Sequence, residues 1–122
     1  MENVAAYFVQ CMFNAVKNTH ILHLQATGPG SYATHVALGE FYPALDELTD
    51  TFAESYQGKY GIITGYTDEY ELPTAPLQYL IGVSEEVDMC RAELPQDSEL
   101  QNLLDEIKSL CDQTIYKLRF LS

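Results

Sequence analysis

Four side chains have the types and the spacing of a transition-metal ligand set: His23, His35, Asp50 and Glu54. His35 follows His23 by twelve residues, Asp50 follows His35 by fifteen, and Glu54 follows Asp50 by four. Two imidazoles and two carboxylates make a mixed nitrogen and oxygen donor set that suits iron, zinc or manganese and is too nitrogen-rich for calcium or magnesium. The plainer reading stands beside it, because carboxylates four apart on a helix most often line a solvated face. His20 lies almost a full turn before His23 and reads as a surface or supporting residue. The His-Glu-x-x-His, Glu-x-x-His, P-loop, paired-cysteine and Gly-x-Ser-x-Gly motifs do not occur, so the chemistries they carry have no candidate here.

Helices must position these groups. Val4, Phe8, Cys11, Met12, Ala15, Val16 and Leu22 recur at spacings of three and four, which predicts an amphipathic helix over about residues 2–25. Thr27-Gly28-Pro29-Gly30-Ser31 stops it, with Ser31 as the predicted cap of the next. A second helix over about 32–57 follows from Leu38, Phe41, Leu45, Leu48 and Phe52, with Gly58 as its stop. Pro43 lies inside it and presses on the carbonyl of Gly39, which predicts a kink rather than a break.

Residues 59–76 are rich in Gly, Pro and Tyr and predict a long connection with a short helix or turn around 67–71. So many residues suit a crossover from one end of a bundle to the other. The tyrosines of this region read as caps on the core, ring inward and hydroxyl wet. Leu80, Val83, Val87 and Cys90 predict a third helix over about 77–94, ended by Pro95. Leu100, Leu103, Leu104, Ile107, Leu110, Cys111 and Leu118 predict a fourth over about 98–121, opened by a capping-box spacing of Ser98 and Gln101. The expected fold is all-α: one four-helix domain, residues 1–122, with a long crossover between the second and third helices.

With Leu48 pointing into the core, His35, Gly39, Pro43, Asp46, Asp50 and Glu54 fall on the opposite side of the second helix. This stripe carries no Lys or Arg, is expected to face away from its own bundle, and has small residues that would admit another backbone. A hairpin of the first two helices puts His23 and His35 at one end of the molecule. At about 1.5 Å per residue, Asp50 stands about 22 Å from His35 along the helix, beyond any shared coordination sphere. One chain cannot close such a site. Two chains close two equivalent sites if their second helices pack antiparallel about a two-fold axis, so a homodimer or larger homo-oligomer through this helix is expected.

A formal charge of −12, from 18 acidic against 6 basic residues, repels nucleic-acid phosphate and anionic lipid. Direct DNA binding and membrane association are therefore not expected, whereas a basic protein partner fits. Cys11, Cys90 and Cys111 are odd in number and sit among apolar neighbours, as reduced thiols in a core do. Met1-Glu2-Asn3 opens no signal-peptide pattern, and no apolar run approaches the roughly 20 residues of a membrane span. A cytoplasmic location is expected.

The stretch His23-Leu-Gln-Ala-Thr-Gly-Pro-Gly-Ser-Tyr-Ala-Thr-His35, continuing to Asp50-Thr-Phe-Ala-Glu54, resembles the ferroxidase segment of Dps-like ferritins and repeats all three of its intervals. The tail from Asp97 through Leu103-Leu104-Asp105-Glu106-Ile107 to Leu118-Arg119-Phe120-Leu121 is similar to the last helix of that family. The resemblance implies a ferritin-like four-helix bundle and an iron site between subunits. In it, His23 and His35 of one chain face Asp50 and Glu54 of another, and Fe(II) is oxidised by peroxide or oxygen. Leu24 and Val36 stand where the family often carries Trp and Glu, and its extra acidic ligand falls on Gly39, which takes a ligand from a full two-iron centre. The family's basic DNA-binding tail is missing. Glu54-Ser-Tyr-Gln-Gly-Lys-Tyr-Gly61 also resembles small ferritin-like proteins of tailed bacteriophages, which implies bacterial cytoplasm, or host cytoplasm for a phage protein. The competing expectation is a non-catalytic acidic protein that keeps the dimer as a platform for a basic host partner.

Overall fold

The three-and-four spacing of apolar residues is realised as four helices in the computed structural model, which describes residues 3–121. They are α1 (Val4–Gln25), α2 (Ser31–Tyr60), α3 (Pro76–Glu93) and α4 (Ser98–Phe120), with no strand among the described residues. The predicted start of the first helix at residue 2 lies outside the described residues. Helix α1 packs on α2 and α3, and α4 packs on the same two, so the four enclose one core. Phe8, Met12, Phe41, Leu45, Phe52, Leu80, Leu104 and Ile107 are fully buried there, and the Phe8 and Phe52 rings meet edge to face at 5.2 Å. Among the described residues, no helix is long and apolar enough to cross a membrane.

The turn between α1 and α2 depends on backbone conformation rather than on a side-chain cap. Gly28 and Gly30 hold φ of 89° and 76°, a region costly for any residue with a Cβ, and Gly30 is the N-cap. Ser31, the predicted cap, is instead the first helical residue; its N–H donates to the Gly28 carbonyl at 3.1 Å. At the other end, α2 continues through Gly58, the predicted stop, and ends at Gly61, whose N–H donates to the Gln57 carbonyl at 3.0 Å. The last turn survives its glycine because tertiary contacts hold it. Lys59 pairs with Asp97 at 2.5 Å, and the Tyr60 hydroxyl donates to the same carboxylate. Pro43 sits inside α2 without interrupting it.

The 61–75 connection contains no helix, which corrects the expected short helix or turn at 67–71. Three amide side chains on one face of α1 hold it extended. Gln10 accepts from the Thr67 N–H at 2.7 Å and donates to the Glu69 carbonyl, Asn14 donates to Glu69, and Asn18 donates to Glu71. Backbone groups that a helix would have paired internally are thus partly satisfied from α1. The connection leaves α2 beside the first turn of α1 and reaches α3 beside its last turn.

The predicted capping box at α4 does not form. Asp97 is the N-cap, and the Gln101 side chain reaches back to the Arg91 and Pro95 carbonyls and accepts from the Arg91 side chain. The tyrosines divide. Tyr56 and Tyr79 pack on the core, whereas Tyr60, Tyr66 and Tyr70 are exposed, Tyr60 against the Tyr56 ring and Tyr70 beneath Lys17. All three cysteines are free thiols, and burial pushes Cys90 and Cys111 up to about 12, which keeps them unreactive at neutral pH.

Candidate functional site

The tight α1–α2 turn brings His23, two residues from the end of α1, against His35, in the second turn of α2. Their rings stack with centroids 3.7 Å apart and planes 16° from parallel. His23 Nδ1 lies 2.5 Å from the His35 carbonyl oxygen, and His35 Nδ1 lies 2.8 Å from the His23 carbonyl oxygen. A carbonyl only accepts, so both rings carry a proton on Nδ1, and the neutral form of each has its lone pair on Nε2. Neither Nε2 has a hydrogen-bond partner among the described residues. A carbonyl bound to the far nitrogen is the usual way a metal-binding imidazole has its tautomer and ring angle fixed.

The surroundings of the pair are aromatic. His20, which is exposed, stacks on Tyr42 at 4.0 Å, and the Tyr42 ring meets His23 edge-on at 5.6 Å. The His20 ring also lies beside His23, with centroids 6.2 Å apart. Tyr42 was invisible as a neighbour in the sequence, since its link to α1 depends on which faces of the two helices meet.

Asp50 and Glu54 are exposed, one turn apart on α2. A hydrogen bond to Asp50, followed by the Asp50 charge, raises the Glu54 carboxyl above its usual range. Asp46, Asp50 and Glu54 form no ion pair among the described residues, so a cation would relieve the crowding that a proton otherwise relieves.

The stripe on α2 therefore does not face outward along its whole length. Pro43, Asp46, Asp50 and Glu54 are exposed, but His35 and Gly39 face α1, where the His23 ring fills the space beside Gly39 that was expected to admit a second backbone. The fold joins His23 to His35 and Asp50 to Glu54, and it leaves the two pairs apart. Among the described residues, no group of three or more His, Cys, Asp or Glu side chains is placed to share a metal ion.

A family profile matches residues 23–118, beginning on His23 and covering both pairs. The chain belongs to DUF5856, a family of unknown function. The DUF5856 match takes in α2, α3, the 61–75 connection and most of α4, together with the last three residues of α1. Among curated proteins and among solved structures, nothing matches the chain.

Proposed function

We propose that this DUF5856 chain is a ferritin-like metal-binding homo-oligomer in which His23 and His35 of one subunit and Asp50 and Glu54 of another hold a transition metal between them. The observation that carries the reading is the reciprocal histidine pair. Both Nδ1 protons are committed to backbone carbonyls, so both Nε2 lone pairs are left as donors in a geometry set before any metal arrives. The donor set fits iron, with zinc or manganese as substitutes: two neutral nitrogens supply the borderline-soft share and two carboxylates supply charge.

The course of the 61–75 connection supports the ferritin-like topology. It runs the length of α1 and so lets α2 and α3 point the same way, as a bundle with one crossover requires. The separation of the two pairs supports a two-fold arrangement, since an antiparallel α2 from a second chain would carry its carboxylates to the histidine end. Iron is the substrate in this reading. Two Fe(II) ions would give one electron each to one hydrogen peroxide, whose O–O bond breaks as it takes up two protons to leave two waters and two Fe(III); the imidazoles and carboxylates would orient the iron, and the carboxylate charge would favour the Fe(III) product.

Isothermal titration with Zn(II) as a redox-silent probe, run with light scattering for oligomeric state, tests the proposal. The expected outcome is a dimer or larger assembly that binds Zn(II), and a His35→Ala assembly of the same size that binds it at least about tenfold more weakly. A monomer, or unchanged binding in His35→Ala, would refute it.

A further inference from the structure

The histidine pair interlocks where α2 has no side chain. A Cβ built on Gly39 would stand 2.8 Å from His23 Cε1 and 3.0 Å from His23 Nδ1, too close for unbonded carbon and nitrogen. Nothing about the backbone asks for glycine there. Gly39 lies inside α2, its φ is not positive, and glycine in a helix interior is less favourable than alanine. Gly58 and Gly82, also inside helices, have nothing within 4 Å of the same added atom. The empty volume at position 39 is occupied by the ring itself.

We propose that Gly39 is the positioning residue of the histidine pair: any side chain at position 39 displaces the His23 ring, so the pair and a side chain at position 39 are mutually exclusive. The ring has no room to slide aside within its present contacts. His35 lies against it at 3.7 Å, Tyr42 meets it edge-on, and its Nδ1–H is tied to the His35 carbonyl. Because the clashing atoms belong to the far end of a side chain, the helices can stay as they are while the imidazole leaves both its stack and its hydrogen bond. The positioning role stands on this packing and does not depend on the inter-subunit reading above; only the zinc readout below rests on that reading.

The test compares wild type, Gly39→Ala, Gly58→Ala and the double variant Gly39→Ala/His23→Ala. The readouts are ring-nitrogen NMR without metal, circular dichroism, thermal melting and Zn(II) titration. Wild type is expected to show two imidazoles protonated at Nδ1 and to bind zinc, and Gly58→Ala is expected to match it. Gly39→Ala is expected to keep its helical spectrum, lose the His23 Nδ1–H signal, and bind zinc at least about tenfold more weakly. Adding Gly39→Ala is expected to lower the melting temperature when His23 is present and to raise it in the His23→Ala background, where only the helix-propensity gain remains. An intact His23 Nδ1–H signal in Gly39→Ala, or the same sign of melting shift in both backgrounds, would overturn the positioning role. A wild type that binds no zinc would remove the metal reading, while the NMR and melting results would still decide the positioning role.

Discussion

At His23 and His35 the decisive atom is Nδ1. Had either ring used Nε2 to reach the opposite carbonyl, its remaining lone pair would sit at Nδ1, close to its own backbone. The observed arrangement leaves the outer nitrogen of each ring as the donor. That these two residues come together was legible in the sequence, because a five-residue turn containing Gly28 and Gly30 folds the helices into a hairpin with one histidine on each side. The part played by Gly39 was not legible. A glycine four residues after His35 reads as a gap for a neighbour, and only the rotation of α1 about its axis shows that the neighbour is His23. The carboxylate pair carries a prediction at this scale. Asp50 raises the Glu54 carboxyl, so between the usual glutamate range and the raised value Glu54 keeps a proton it would otherwise lose. Folding therefore draws a small benefit from this group at low pH, and loses it as pH rises through that window. Replacing Asp50 by Asn should bring the Glu54 titration down toward the ordinary glutamate range in carbon-detected NMR; an unmoved titration would separate the two groups.

Among the elements, the helices themselves follow from apolar spacing, whose signal repeats over many turns. Their ends and the 61–75 connection depend on single partners far away in sequence. Gly58 looked like a terminator, but Lys59 and Tyr60 hold the last turn of α2 through Asp97, the N-cap of α4. Gln101 had the spacing of a capping box, but the Arg91 and Pro95 carbonyls use its amide. The extended 67–71 stretch had one available clue in Gln10, Asn14 and Asn18, three amides at intervals of four on a helix, ready to serve a strand-like neighbour. The Asp97 junction is open to test. Hydrogen bonds from Lys59 and then Tyr60 hold its carboxyl below the usual range, so it stabilises the fold above the ordinary aspartate value and the effect fades as pH falls through the lowered one. Asp97→Asn should melt below wild type at neutral pH, with the gap narrowing in acid. A gap independent of pH would assign the loss to something other than the charge on Asp97.

On the scale of the whole molecule, the histidine pair shared by α1 and α2 stands apart from the carboxylate pair on α2, and under the proposed reading that separation calls for a second chain. The net charge of −12 works against self-association at long range, so the proposed pairing would have to offset it locally, as a bound cation at each end would. The histidine end also exposes Leu24, Tyr32 and Phe120, the last lying one turn beyond Lys117, which pairs with Glu40 of α2 at 2.7 Å. Apolar groups there suit an interface better than open water. The expectation of oligomeric pairing rests on the distance argument alone, since no motif encodes a two-fold axis. The most direct test is complementation between two defective chains carrying different tags, His35→Ala and Asp50→Ala/Glu54→Ala, co-expressed and purified as the mixed dimer. Each variant alone should bind Zn(II) at least about tenfold more weakly than wild type, and the mixed dimer should regain half the tight zinc binding of wild type, because one of its two interfaces joins an intact histidine pair to an intact carboxylate pair. A mixed dimer that binds no more zinc than its parents would contradict the account.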